Sequence, residues 1–412
     1  MTAISTARPF SWKRFALVAG PGLAVMLADT DAGCIITAAQ SGAQWGYKLL
    51  VLQFILMPVL YVVQELTVRL GIVTGQGHAQ LIRQHFGRFW AWISAGTLII
   101  SCIGALLTEL SGLAGVGALL NIPASITVSL VVIALLAMAY AHTYLTVERI
   151  AIGLGLFELV FLLVAWLSQP NGAEIASDLV SMPLGDSKYL FLLSANIGAV
   201  VMPWMVFFQQ SSVVERKLTT DDLSFARLDT AIGSVLTQLI MAAVIVATAA
   251  TIGKAGGDQS LDTVEQISGA ITPFLGNFGG KLLFGLGMSG AAMVGAIVVT
   301  LTAARTLSEV LGVKHSLEHE PAEAVWFYGI YTATLIIASL VVLSGINLIT
   351  LSVGVQVLNA LCLPIVLGFL FLLAQRLPEP YRLKGAYAAV CLVIMSATTM
   401  LGVYSGVIGV IS

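Results

Sequence analysis

Two carboxylates, a glycine and a thiol fall within six residues of an otherwise apolar stretch: Asp29, Asp31, Gly33 and Cys34, inside residues 28–47. Carboxylates at membrane depth are costly and persist where they meet water, an ion or a partner. A glycine beside them lets the backbone leave the helix. Residues 31–34 are therefore expected to interrupt a membrane-crossing helix. Such a break sets unpaired carbonyls next to a carboxylate, a combination that holds a cation near the bilayer midplane.

The elements that must position these groups follow from composition. The 412 residues are 58% hydrophobic and 10% charged, with a mean hydropathy of +0.96, which is the balance of a polytopic membrane protein rather than a soluble domain. A net charge of −2, with basic residues in short loops, gives no sign of nucleic-acid binding. Eleven apolar runs long enough to cross, or nearly so, are expected at 15–39, 49–70, 89–118, 126–141, 150–167, 190–208, 231–252, 282–301, 325–343, 348–373 and 387–411. The fourth is short, as in a shallow or tilted crossing. Arg8, Lys13 and Arg14 before the first run superficially resemble a signal peptide, but the run continues through Asp31 and spans a bilayer.

Basic residues orient these runs. With the N-terminus cytoplasmic, fifteen of the 19 fall inside, and only Lys48, Lys188, Lys254 and Lys281 outside. That positive-inside bias predicts a C-terminus outside and no soluble domain. The four cysteines, Cys34, Cys102, Cys362 and Cys391, lack zinc or disulfide spacing. Three of them read as small buried hydrophobes.

Ten helices plus one suggest two five-helix inverted repeats, at 1–168 and 187–376, with an additional helix at 385–412. The counterpart of the first helix is then the sixth, where Gly198 and Pro203 sit inside an apolar run. Proline removes an internal hydrogen bond, and paired interrupted helices in the two halves point to a binding site. A simple proline kink is the alternative reading.

Asp31-Ala32-Gly33-Cys34 in the first helix, Gly71 to Gly75 at the end of the second, and Met202-Pro203-Trp204 in the sixth together resemble the Nramp family of divalent metal transporters. The family carries Asp-Pro-Gly-Asn and Met-Pro-His at the two breaks. The 28–31 prefix and the 40–47 tail look more like a divergent, Nramp-related branch, some of whose members move magnesium. The resemblance implies an all-α fold of LeuT type with helices 1 and 6 broken. It further implies that Asp31, the Ala199 carbonyl and the Met202 thioether hold metal, with Cys34 where the family has asparagine and Gln356 joining in some states. Glu109 matches a glutamate tied to proton exit. Trp204 and Gln209 replace two histidines, and Leu106 replaces an aspartate, so three titratable groups are missing. Trp204, Gln209 and Asn359 are expected to line the pathway.

Magnesium prefers hard oxygen ligands and retained water, whereas thioether and thiol favour softer transition metals. Asp31, freed carbonyls, Met202 and Cys34 make a mixed site that leans towards manganese or iron(II). Asp29 adds a second hard carboxylate, and magnesium stays open; capping of local backbone is the other reading of Asp29. Without histidines beside the site, transport with weak or absent obligatory proton coupling is expected, leaving Glu109 and Glu158 as intramembrane acids for a proton pathway. The five histidines, His78, His85, His142, His315 and His319, read as solvated loop residues. Glu65 and Arg69 are spaced to pair on one helix face.

The expected activity is thus a secondary transporter working by alternating access, with divalent metal ions and the lipid bilayer as its only partners, in a bacterial plasma membrane. No cofactor, nucleic acid or obligatory protein partner is implied. A carrier of a small organic substrate on the same scaffold, and a transport-dead sensor, are the alternatives. No catalytic constellation of an enzyme is visible.

Overall fold

The structure is a computed structural model that describes residues 12–141, 143–252, 261, 263–271, 277–345 and 347–411. Arg8, His142 and Lys254, and the side chain of Lys13, lie outside the described residues. Every regular element among the described residues is helical. Ten helices are long and apolar enough to cross a membrane, and the bent pair near the N-terminus brings the number to eleven. The count and the absence of strands match the sequence-based expectation.

The first segment is divided. A short helix α1 (Trp12–Val18) ends before Gly20, whose φ of 150° suits glycine. Helix α2 (Pro21–Asp29) begins with Pro21 in its first turn, where the missing N–H costs no helical bond. Helix α3 (Ala32–Trp45) follows at 48° to α2. Then come α4 (Leu50–Thr74), stopped by Gly75 in the left-handed region at φ 64°, the short α5 (His78–Phe86), α6 (Arg88–Leu119) and α7 (Ala124–Ala141). The fifth segment is α8 (Tyr144–Gly155) and α9 (Val160–Leu167), joined by a 3-10 turn over Leu156–Leu159.

After the short surface helix α10 (Gly172–Asp178), the sixth segment is α11 (Ser187–Val200) and α12 (Pro203–Glu215). The remainder is α13 (Leu223–Thr251), short α14 (Val264–Ile271), α15 (Asn277–Leu311), α16 (Val325–Leu343), α17 (Leu348–Ala374) and α18 (Gly385–Ile411). Several helices run beyond their apolar stretch: α13 starts eight residues before the expected 231, because polar ends of a spanning helix project into the interfacial layer.

Burial sorts the segments. The apolar window of the sixth segment is 94% buried, against 22% for α7 and 28% for α16 and α18, which present their flanks to lipid. The two interrupted segments therefore lie at the centre, packed on α13, α17 and α18. Close approach is built from glycine. A Cβ on Gly198 would lie 1.8 Å from the Gln356 carbonyl, and one on Gly71 would lie 2.8 Å from the Gln210 carbonyl.

The expected Glu65–Arg69 pair forms at 2.7 Å. It is larger than the sequence suggested. Arg227 and the Tyr387 hydroxyl also reach the Glu65 carboxylate, at 2.7 and 3.2 Å, tying α4, α13 and α18 together.

Candidate metal site at the two helix breaks

Asp31 sits between α2 and α3 with φ −63° and ψ 172°, an extended residue at the N-cap of α3. Its Oδ1 accepts the Cys34 amide at 2.7 Å, as short polar caps do. The Ala32 amide, a second unpaired donor of that turn, goes to Glu109 Oε2 on α6 at 3.1 Å. Room for Glu109 comes from Gly295 of α15, where a Cβ would approach the carboxylate carbon to 2.8 Å. Two carboxylates thus serve the N-terminus of α3, where the helix dipole favours negative charge.

The end of α2 is closed by hydroxyls. Thr30 donates to the Leu27 carbonyl at 3.0 Å and also contacts Glu158 of the 3-10 turn, while Thr237 of α13 donates to the Met26 carbonyl. The interruption of the fifth segment is thereby pinned to that of the first.

At the second break, Met202 is extended, with φ −91° and ψ 141°, and Pro203 opens α12. The helical donor to the Ala199 carbonyl would be the N–H of residue 203, which proline lacks. Instead the Cys34 thiol donates to that carbonyl at 3.3 Å. Gln356 Nε2 of α17 donates to the same sulfur at 3.6 Å. Asp31, Cys34, Ala199 and Gln356 are therefore joined in one buried chain of contacts across α3, α11 and α17. Met202 is wholly buried three residues beyond Ala199.

Gln356 does not present its oxygen to this chain. Ser101 of α6 donates to Asn359 Oδ1 at 2.6 Å, and Asn359 Nδ2 donates to Gln356 Oε1 at 2.9 Å. That relay fixes which way each amide faces, leaving the Gln356 NH2 towards Cys34. Ser101 carries no sequence signal, since a serine next to a cysteine in an apolar helix is ordinary.

Two carboxylate oxygens of the first segment stand out. Asp31 Oδ2 and Asp29 Oδ1 are buried with no hydrogen-bond partner among the described residues. Buried anionic oxygens are costly unless paired or bound to a cation. Among the described residues, no three His, Cys, Asp or Glu side chains converge as metal ligands. A cation placed here would have to draw on neutral donors beside Asp31.

The other expected residues are placed as follows. Glu158 and Glu109 are both fully buried and border the first break. Trp204 is fully buried, its indole N–H without a partner among the described residues, and Gln209 Nε2 donates to Thr230 of α13 at 3.0 Å. Gln53, Asn196 and Ser41, which sequence reading missed, form a second polar relay of 2.8 Å bonds across α4, α11 and α3. The reading of all five histidines as solvated is corrected. His78 is fully buried under Phe207, because α5 folds back into the bundle after the Gly75 turn.

Comparison with known proteins follows the same lines. The family model described as natural resistance-associated macrophage protein-like, Nramp, matches residues 22–407. The divalent metal cation transporter MntH of Chromohalobacter salexigens is 29% identical over 365 residues, 82% of this chain and 81% of that protein. The manganese transporter of Eremococcus coleocola, solved with an aromatic bis-isothiourea substituted compound, superposes with a TM-score of 0.77 at 19% identity, covering 99% of this chain and 92% of that one. Mhp1, a nucleobase-cation-symport-1 family transporter solved in a closed conformation, gives 0.58 at 14% identity over 94% and 90% of the two chains. The two structural matches are likenesses of fold.

Proposed function

The chain belongs to the Nramp family, and from that premise we propose that it carries divalent metal ions across a membrane by alternating access around the two helix breaks. It is an integral membrane protein of LeuT-type fold and a metal transporter rather than an enzyme, with the metal as cargo and not as cofactor. The observation that carries the site assignment is Asp31: its Oδ2 is buried without a partner among the described residues, and the residue belongs to the same chain of contacts as the carbonyl that Pro203 frees.

In this reading Asp31 supplies the charge that draws the cation. The Ala199 carbonyl, Met202 and Cys34 replace part of its water shell, and Gln356 contributes its oxygen only when its amide is released from Asn359. Asp29 supports the charge from the end of α2. The mixed donor set favours manganese or iron(II) over magnesium; magnesium is the alternative cargo that the second carboxylate would suit. Because Trp204 and Gln209 bring no titratable group to α12, proton coupling is weak or absent, with Glu109 and Glu158 as the acids of any residual pathway. Trp204, Gln209 and Asn359 line the route.

Residues 1–168 and 187–376 are the two inverted halves and 385–412 the added helix. The N-terminus is cytoplasmic and the C-terminus external in a bacterial plasma membrane, on the distribution of basic residues. The lipid bilayer is the only other partner. The test is uptake into proteoliposomes of manganese, magnesium and calcium at equal concentration with an internal pH dye. Manganese uptake resistant to excess magnesium, without a pH change, is the expected result. Magnesium uptake or competition would transfer the cargo assignment to magnesium, and no uptake of any divalent ion by folded protein would favour an organic substrate.

A further inference from the structure

A second set of buried donors lies along α12, away from the breaks. His78, the first residue of α5, is fully buried, and its Nδ1 lies 2.8 Å from Gln210 Oε1. The orientation of that amide is fixed, because Gln210 Nε2 donates to the Gln76 carbonyl at 2.9 Å. The amide oxygen therefore faces the ring, so Nδ1 carries the proton and Nε2 is left with its lone pair. Nε2 is buried and has no partner among the described residues. Phe207 packs edge-on against the ring at 4.8 Å between centroids.

Glu309 of α15 lies against Gly77, the residue that precedes His78. Its carboxylate fills the space that a side chain on Gly77 would take, since a Cβ there would meet both oxygens within 2.5 Å. Glu309 Oε1 is within 3.5 Å of the Ser211 hydroxyl, while Oε2 is buried and unpartnered among the described residues. Because Glu309 lies against Gly77, two unused ligand atoms, one imidazole and one carboxylate, are brought beside the Gln210–Ser211 stretch of α12.

We infer that His78 Nε2 and Glu309 Oε2 form a transit site for the divalent cation between the helix breaks and the face of the bundle bearing α5. The inference rests on the transport reading above. Gln210 is eight residues after Met202, about 12 Å along α12 at 1.5 Å per residue, so the site lies one step beyond the breaks. A metal-binding histidine typically donates its other N–H to a carbonyl or carboxylate, which fixes the ring, and Gln210 does this. Imidazole with carboxylate suits manganese, iron(II) and zinc. With its proton held on Nδ1 by the Gln210 oxygen, the ring offers the Nε2 lone pair for ligation. Only two protein ligands are offered, with water filling the rest of the shell. A site that must release its ion in every cycle has to bind weakly.

The test uses full-length protein in lipid nanodiscs with manganese as the probe. The Asp31→Asn variant removes the central charge, and pulsed EPR of the Mn2+ it retains reports imidazole nitrogen bound to the metal. Replacing histidine nitrogen with 15N must change that modulation without altering the fold. Adding Gln210→Leu must lower the affinity of this population at least roughly tenfold, and adding Glu309→Gln must weaken it as well. In otherwise wild-type protein, His78→Gln must slow manganese uptake while leaving half-saturation at the central site within about twofold, because a transit ligand acts after loading. Absence of imidazole modulation, a modulation indifferent to both Gln210→Leu and Glu309→Gln, or wild-type uptake by His78→Gln overturns the inference and leaves the transport reading standing. Wild-type vesicles that take up no divalent ion overturn the transport reading, and the transit role with it.

Discussion

Pro203 leaves the Ala199 carbonyl without its helical donor, and the Cys34 thiol occupies that place at 3.3 Å. One covalent feature of the sixth segment thus hands a ligand to a side chain from the first. Replacing Pro203 with alanine restores the donor and extends the helix. The expected variant melts close to the wild-type temperature, because Pro203 stands in the first turn of α12, where its missing N–H costs no helical bond. It takes up manganese with a raised half-saturation. Thermal melts and uptake on the same preparation check both expectations.

Gln356 is held with its oxygen turned to Asn359, and Asn359 is held by Ser101. Ser101→Ala breaks the end of that relay and lets the amide turn its oxygen to the cation. Removing one such bond costs about 1 kcal/mol of stability. The relative affinity for magnesium is expected to rise, because a hard oxygen is added to the site. Competition of magnesium against manganese uptake measures it, and an unchanged ratio would show that Gln356 stays outside the ion's shell.

Gly198 lets α11 approach α17 so closely that a Cβ would lie 1.8 Å from the Gln356 carbonyl. The neighbour is backbone and cannot turn aside. Gly198→Ala is therefore expected to spread the two helices and abolish uptake. Gly153, with open space around it, is the control, and its alanine variant should transport normally.

The Glu65 carboxylate is 2% exposed and shared by Arg69, 9% exposed, and Arg227, 39% exposed. Losing Arg69 leaves the buried charge to the exposed Arg227 and the Tyr387 hydroxyl, at a cost below the ~3–5 kcal/mol of a wholly unpaired buried charge, whereas an exposed partner contributes under about 1 kcal/mol. Arg69→Ala is expected to lower the melting temperature more than Arg227→Ala. Equal effects in a thermal-shift series would contradict the difference drawn from burial.

Much of this fold was legible in the chain because lipid imposes one rule on every segment: an apolar run long enough to cross must be a helix. The breaks were legible because Asp31 and Pro203 violate that rule openly. Side-chain relays were not. Gln356 reads as a metal residue and Asn359 as lining the pathway, but the relay that joins them to each other and to Ser101 shows only once α6 packs on α17. His78 misled because it follows a glycine turn, the usual signature of a solvated loop, while the turn here folds α5 back under Phe207. Helix ends outran the apolar runs because hydropathy marks the hydrocarbon layer and not the helix terminus.

On this reading Asp31 holds the cation. Calorimetric titration of manganese into purified wild-type and Asp31→Asn protein, each shown to be folded by its melting curve, tests it most directly. Loss of the tight binding phase in Asp31→Asn, with an unaltered or higher melting temperature once the buried charge is gone, is the predicted result. Binding of manganese by the folded variant with wild-type affinity would contradict it.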